Sequence, residues 1–223
     1  ILHSILGDLY LRYFQMNRYQ VLDRGKIAGD AGNDVRTWDA AKLLGTSASH
    51  FEASLVPENE LQNTDLKPFA AILDEKKDSK VYRPTLFDFL AHRAVDFYSS
   101  GESGITTAAD QWKPDHADYF SSAVRFINLQ IPENKSHTFA SKILKIYQQL
   151  LSFHIGDADP QALIDADLQR LNYVRNSSVL DGKDGHYRNA LEGLQQRVNM
   201  SPPSASVAFE LAKFHESNAV KYN

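Results

Sequence analysis

The chain contains no cysteine, which excludes several kinds of chemistry. Without a thiol there is no disulfide, no thiolate zinc site, no CxxC redox pair and no cysteine nucleophile. The absence does not identify the cellular compartment, because many periplasmic proteins also lack cysteine.

Long apolar runs and an excess of positive charge are missing as well. No stretch approaches the roughly 18 uninterrupted apolar residues of a membrane span, and Asp8 and Arg12 interrupt the apolar opening of the chain. The formal net charge of -4 and the pI near 6.1 give no electrostatic attraction to phosphate backbones. We therefore expect no membrane span in this segment and no nucleic-acid partner.

The two ends of the chain show no signal that starts or stops a protein. Ile1 stands where a methionine would begin a translated chain, it already lies in a helical pattern, and no basic leader precedes it. The helical pattern at the other end runs to Asn223 without a terminator. We expect further sequence on both sides, and we expect a targeting segment to lie outside this chain.

Apolar residues with helical spacing dominate what is present. Hydrophobic residues at 43% and charged residues at 23% are ordinary values for a folded globular chain. The spacing predicts an all-α fold of antiparallel helical hairpins, or an irregular α-solenoid that resembles tetratricopeptide repeats (TPR). Seven apolar residues gather on one face of the first helix, as is typical of a helix that packs through that face: Ile1, Leu2, Ile5, Leu6, Leu9, Tyr13 and Phe14.

Residues that typically start or end helices divide the rest of the chain into further predicted helices. Asn33 or Asp34 caps a predicted helix over 35–56, and a helix from Pro84 to about residue 100 should be deeply packed. Shorter segments, 65–74 and 115–128, are also predicted helices, although the second has residues that suit a short strand. In the second half, predicted helices start at Asp159–Pro160 and cover 186–198 and 205–219.

A polar stretch, Gly101 to Lys113, is the expected boundary between two subdomains. The predicted division is an N-terminal helical subdomain over residues 1–104 and a helical-hairpin subdomain over residues 114–223. One continuous domain is the alternative.

A partial repeat is the strongest sign of a solenoid. Ala190, Leu194 and Pro202 fit the second helix of a TPR unit, and Leu211 with Ala212 fits the first helix of the next unit. In that register Ala212 lies in a tight crossing with the helix that contains Ala190. Other positions depart from the pattern, namely Arg197, Ala208 and His215. An ordinary helical hairpin therefore stays open as the alternative.

One constellation of residues could bind a metal or transfer a proton. Asp88, His92 and Asp96 follow one another at intervals of four, so they share a helix face and could bind a metal or relay a proton. We favour the other interpretation, a surface histidine that is capped or paired with a carboxylate. A catalytic zinc site normally needs three protein ligands, and no second histidine motif lies nearby. We expect no catalytic residue, no metal and no cofactor.

Trp112 is the other candidate for a binding residue. It lies in a polar stretch before Lys113 and Pro114, where an exposed indole could stack on a sugar or a peptide. Aromatic residues on helices are more often core residues. The candidate binding residues are thus Trp112, His92, Asp88 and Asp96.

Three segments resemble a known family: ILHSILGDLYLRYFQMNRYQ, VRTWDAAKL and YRPTLFDFLAHRAVDFYSS. They are similar to the helical N-terminal region of very large alpha-2-macroglobulin-like proteins of the bacterial cell envelope. The resemblance covers residues 2–100, and the TPR-like remainder only loosely.

The resemblance implies a parent protein that is exported to the periplasm or the cell surface of a bacterium. Such a parent has β-sandwich macroglobulin domains downstream and is implied to entrap proteases in defence of the envelope. The reactive thioester of some relatives needs a cysteine, so it cannot reside in this chain. No catalytic residue of the family can be carried over.

These observations lead us to expect a non-catalytic helical scaffold that contacts a protein partner or downstream domains of the same chain. Two alternatives remain: a helical unit that binds a glycan or a peptide, and a hydrolase that uses His92 with Asp88 and Asp96.

Overall fold

The fold is all-α, as the spacing predicted. A computed structural model of the chain describes residues 1–24, 32–102, 105, 112–132 and 138–219. These residues form eleven α-helices and no strand. None of these helices is long and apolar enough to cross a bilayer. The helices are α1 (Leu2–Met16), α2 (Arg18–Asp23), α3 (Ala40–Ala53), α4 (Glu58–Gln62), α5 (Ser79–Tyr82), α6 (Leu86–Ser99), α7 (Ala123–Phe126), α8 (Phe139–His154), α9 (Gln161–Ser177), α10 (Lys183–Arg197) and α11 (Ser204–Ala219).

The chain divides into two compact units. Unit 1 comprises Ile1–Leu73 and Thr85–Gln111, and unit 2 comprises Asp74–Pro84 and Trp112–Asn223. The short helix α5 belongs to unit 2, where it contacts α9. Most of the predicted loop between residues 101 and 113 lies outside the described residues, and the predicted subdomain bounds stay a prediction.

Helix α6 is the most deeply packed helix of unit 1, which confirms the expectation for this segment. Thr85 and Asp88 form a capping box at its start, in which each side chain accepts a hydrogen bond from the other residue's backbone N–H. Pro84 therefore precedes the cap, and the prediction that it lies in the first turn of the helix is wrong. Ten of its fourteen residues are buried, including Phe87, Leu90 and Phe97.

Helix α1 packs through only part of the predicted face: Phe14 is buried and Ile1 and Tyr13 are partly buried, but the other predicted residues are exposed. Its buried residues are Ser4, Gly7 and Phe14, and it packs against α3. Ser47 of α3 donates a hydrogen bond from Oγ to the Gly7 carbonyl oxygen at 2.7 Å. Small side chains let two helix backbones approach closely, and this close approach selects the small-residue face over the apolar one.

Three predicted helices are shorter or more broken than expected. Of the helix predicted over 65–74, only a 3-10 helix, Lys67–Phe69, is present. The segment predicted as one helix over 35–56 is a 3-10 helix, Val35–Thr37, followed by α3. The break occurs because Asp39 accepts a hydrogen bond from Lys42 N at 2.8 Å and so caps a new helix. The segment predicted over 115–128 likewise consists of a 3-10 helix, Ala117–Phe120, and α7.

In unit 2 the last four helices pack consecutively, α8 on α9, α9 on α10 and α10 on α11. The buried residues of α11 are Val207 and Phe214, whereas Ala212 is exposed. The predicted tight crossing at Ala212 is therefore wrong, and the TPR register that placed it stays without support. Phe214 instead contacts Tyr187 of α10, with ring centroids 5.7 Å apart.

Two tyrosines of unit 2, Tyr173 and Tyr187, make the stability of this unit fall at alkaline pH. Burial raises the pKa of Tyr187 to about 12, with nearby Glu210 adding to the effect, and burial raises the pKa of Tyr173 to about 12. Both tyrosines titrate near 10 in an unfolded chain. Between pH 10 and 12 the unfolded chain therefore loses protons that the folded unit retains, which favours unfolding.

We expect the free energy of unfolding to fall by about 2 kcal/mol per tyrosine between pH 10 and 12. Urea titrations across this pH range check the size of the fall, and Tyr187→Phe should reduce its slope. Tyr187→Phe also removes the hydrogen bond that the hydroxyl donates to Asn172 Oδ1 at 2.6 Å. The comparison is therefore one of slopes and not of absolute stabilities. An equal slope in the variant would contradict the prediction.

Candidate functional site

Asp88 and His92, two of the predicted site residues, lie inside unit 1. Asp88 is 1% exposed and His92 is 2% exposed, so the expectation of a surface histidine is wrong. Asp88 Oδ2 accepts hydrogen bonds from Thr85 N at 3.0 Å and from Thr85 Oγ1 at 2.7 Å. His92 Nδ1 donates a hydrogen bond to the Asp88 backbone carbonyl at 2.8 Å. The partner of Nδ1 is therefore the backbone of Asp88 and not its carboxylate. These bonds hold the first turns of α6 together.

Asp96, the third member of the constellation, is exposed on α6. It lines a cavity of about 200 Å³ with Asp8, Arg93 and three apolar residues. In the described part of the chain, no group of three His, Asp or Glu side chains could hold a metal ion. The structure thus separates Asp96 from Asp88 and His92 by burial, and their assignment to a binding site stays a prediction.

Trp112 is half-buried in unit 2. Its ring contacts Tyr119 edge to face, with centroids 5.7 Å apart. The backbone next to it is fixed, because the Pro114 carbonyl accepts hydrogen bonds from Val179 N at 3.0 Å and Ser178 Oγ at 2.7 Å. Part of the indole is therefore used for packing, and only the remainder could contact a sugar or a peptide.

Unit 2 contains a cleft of about 430 Å³, which we call the arginine cleft. The segment 117–125 forms one wall and α10 forms the other, with α9 between them. The polar side chains that line these walls are Asp118, Ser121, Ser122, Arg125, His186, Asn189 and Arg197. Sequence reasoning did not find this cleft, because its walls come from segments that are far apart along the chain.

Arg170 of α9, the helix between the two walls, fixes the shape of the arginine cleft. Its side chain is fully buried, and its Nε donates to Asp167 Oδ1 at 2.9 Å. Its terminal nitrogens donate to the Tyr119 carbonyl at 2.6 Å and the Ser121 carbonyl at 2.9 Å. The guanidinium also lies 4.5 Å from the centroid of the Phe126 ring. Arg170 therefore ties the wall 117–126 to α9.

A signal for Arg170 does exist in the sequence. Asp167 and Arg170 are charged residues three positions apart within the apolar stripe of α9, between Ile164 and Val174. Opposite charges at this spacing on a buried helix face indicate an internal ion pair. The pattern predicts the pair but does not predict the two carbonyl groups that it binds.

The second candidate is an apolar surface on unit 1. Five side chains of α1 form the surface that we call the α1 stripe: Leu2, Ile5, Leu6, Leu9 and Met16. Leu2 is 77% exposed, Leu9 is 55% exposed and Met16 is 85% exposed. At about 100° per residue, the five positions fall within a sector of about 100° that faces away from Ser4, Gly7 and Phe14. Contiguous exposed apolar residues are uncommon on a surface without a partner.

The chain was compared with known proteins at three levels. Neither the models of known protein families, nor the curated proteins, nor the solved structures gave a significant match.

Proposed function

We propose that this chain is a non-catalytic helical scaffold that docks a protein partner through the α1 stripe. The observation that carries this function is that α1 directs its most apolar face outward. The sequence suggested Asp88 and His92 as residues for hydrolysis. Their contacts do not favour an enzyme, because Asp88 caps α6 and His92 binds the backbone of the same helix.

The outward direction of the α1 stripe follows from how α1 packs. A Cβ atom added to Gly7 would lie 2.9 Å from Phe51 Cδ2 and 3.2 Å from the Ser47 carbonyl oxygen. The contact with α3 is therefore tight at Gly7, and it holds the opposite face of α1 away from the interior. Burial of a leucine side chain contributes about 1.5–3 kcal/mol, so a partner that covers the α1 stripe would gain substantial free energy.

The partner that fits the α1 stripe is the apolar face of an amphipathic helix from another protein. The stripe is straight and about 21 Å long, at a rise of about 1.5 Å per residue. Helix α1 uses its interior backbone groups in its own hydrogen bonds, so a partner strand would find no backbone donors there. A partner helix satisfies its own backbone and can pack its side-chain ridges between those of α1.

A lipid surface fits the α1 stripe less well. Helices that lie on anionic membranes carry many lysine and arginine residues beside their apolar face. Helix α1 has one arginine, Arg12, and no lysine. Arg12 Nε is 2.8 Å from Asp8 Oδ2, which compensates its charge.

The resemblance of residues 2–100 to alpha-2-macroglobulin-like envelope proteins supports the wider part of the proposal. In this view the scaffold belongs to a large exported protein of a bacterial envelope, which entraps proteases with domains downstream. The full-length gene product tests this part, because macroglobulin-like sequence should follow Asn223.

Photo-crosslinking tests the docking function. We expect p-benzoylphenylalanine in place of Leu9 to cross-link the full-length protein, in the cells that make it, to an apolar face of a helix in another protein. Leu6→Lys in the same chain should reduce this product about tenfold, as for a residue at the centre of an interface. Because Leu6 is 40% exposed, Leu6→Lys should change the free energy of unfolding by no more than about 0.5 kcal/mol.

The control is the same cross-linker in place of Ser49, an exposed residue of α3 in the same unit, which should give no such product. Products with phospholipid, with a second copy of the chain or with another part of the same chain would each contradict the proposed partner. The absence of any product specific to position 9 would contradict it as well.

A further inference from the structure

The arginine cleft of unit 2 has the features of a binding site, and it is independent of the α1 stripe. Its volume of about 430 Å³ lies within the range of sites for small ligands. The hollow exists because α10 presents Ala190 and Gly193 to it, between His186 and Arg197. A Cβ atom added to Gly193 would meet no atom within 4 Å. Neighbouring side chains therefore leave the space beside Gly193 open.

The charges of the cleft leave one cation uncompensated. Asp167 is paired with Arg170, and Asp118 lies 3.2 Å from both Arg125 and His116. Arg197 is exposed, and within the described part of the chain it has no hydrogen bond or ion pair. Among the described residues of the cleft lining, Arg197 is thus the guanidinium that has no carboxylate partner.

Other groups of the cleft could bind the amide groups and one side chain of a short peptide. Ser122 and Asn189 supply donors and acceptors at the two walls, where amide groups could bind. Ala117 and Ala190 are partly exposed and supply a small apolar surface for one short side chain. The combination of a guanidinium, amide-binding groups and a small apolar area matches the end of a peptide chain.

We propose that the arginine cleft binds the terminal carboxylate of a short peptide segment, with Arg197 as its cationic partner. Arg197 forms the charge-assisted hydrogen bonds to the carboxylate oxygens. Ser122 and Asn189 bind the adjacent amide groups, and the last side chain lies beside Ala190. A carboxylate fits better than phosphate, because a dianion would need a second cation without a carboxylate partner, and Arg125 is paired with Asp118.

Nuclear magnetic resonance of the full 223-residue chain tests this site. The probe is N-acetyl-Ala-Ala-Leu with a free carboxylate, and the comparison ligands are its C-terminal amide, sodium acetate and inorganic phosphate. We expect the carboxylate peptide to shift backbone amide signals in 121–125 and 186–197 with a Kd of about 1 mM or below. The amide peptide and acetate should bind at least tenfold more weakly.

Two variants separate binding from folding. Arg197→Gln should weaken the carboxylate peptide at least tenfold and leave the amide peptide unchanged. Gly193→Leu should fill the hollow and abolish binding of both, without loss of thermal stability, because leucine favours a helix more than glycine does. The matched control is Arg188→Gln on α10, whose guanidinium lies 3.7 Å from Glu192 and outside the cleft lining; it should bind like the wild type.

Each of several results would overturn the assignment. These are equal binding of the carboxylate and amide peptides, tighter binding of phosphate than of the peptide, acetate binding as well as the peptide, and no shift with any ligand. Unchanged affinity in Arg197→Gln would have the same consequence. Cross-linking at the α1 stripe is unaffected by any of these results, so the two proposals fail independently.

Discussion

Replacement of Arg170 by methionine is expected to lower the free energy of unfolding of unit 2 by about 3–5 kcal/mol. Methionine fills much of the same space, so the loss comes from polar groups that lose their partner. Asp167, with 2% of its side chain exposed, keeps a charge in the interior without its cation. The carbonyl groups of Tyr119 and Ser121 lose their donors, at a cost of about 1–3 kcal/mol for each group that stays buried.

The measurement can be restricted to unit 2, because the chain has two tryptophans and each unit contains one of them. In a Trp38→Phe background the fluorescence of Trp112 reports on unit 2 alone. Guanidinium titrations in this background compare the wild type, Arg170→Met and the surface control Arg188→Met. The control should lie within about 0.5 kcal/mol of the wild type.

The double variant Asp167→Leu with Arg170→Met distinguishes the charge from the carbonyl groups. It should recover part of the loss, since no uncompensated charge remains, but not all of it, since the two carbonyl groups still lack donors. A single variant within about 1 kcal/mol of the wild type would show that Arg170 is not the link between α9 and the wall 117–126.

The spacing of apolar residues predicts the fold class, and the residues that cap helices predict several helix starts. Both features depend on local chemistry. The start of α9 follows from Asp159 and Pro160, and Asp159 Oδ1 accepts a hydrogen bond from Gln161 N at 3.1 Å. The deep packing of α6 follows from its apolar stripe. Neither case requires knowledge of what the helix packs against.

The packing face of α1 could not be predicted in the same way. Periodicity shows that an apolar face exists, but it cannot show that a second face, with Ser4 and Gly7, fits α3 more closely. The arginine cleft could not be predicted from local sequence patterns either, since Ser122, Arg170 and Arg197 come together only through tertiary packing. The register that placed Ala212 in a tight crossing fails for a related reason, because an alanine fits equally well on an exposed helix face.

Replacement of Gly7 by leucine is the second variant with a large expected effect. The new Cβ would lie 2.9 Å and 3.0 Å from two Phe51 ring carbons and 3.2 Å from the Ser47 carbonyl oxygen. Phe51 is 2% exposed and stacks on Phe97 with centroids 4.8 Å apart. The ring therefore has no room to move away, and the backbones of α1 and α3 must separate.

We expect Gly7→Leu to lower the free energy of unfolding of unit 1 by about 2 kcal/mol. Overpacking costs about 1–3 kcal/mol, occasionally more, and the higher helix propensity of leucine offsets somewhat less than 1 kcal/mol of this. The matched control is Gly45→Leu in α3, where an added Cβ would meet no atom within 4 Å. There only the propensity acts, so the control should be stabilised by somewhat less than 1 kcal/mol.

The two substitutions thus have opposite expected signs, although both replace a glycine inside a helix by leucine. Titrations in a Trp112→Phe background, with Trp38 as the probe of unit 1, measure both. Stabilisation by Gly7→Leu would mean that α1 does not pack on α3 through Gly7. The orientation that directs Leu2, Leu6 and Leu9 outward would then lose its structural basis, and the proposed docking of a partner helix would lose its surface.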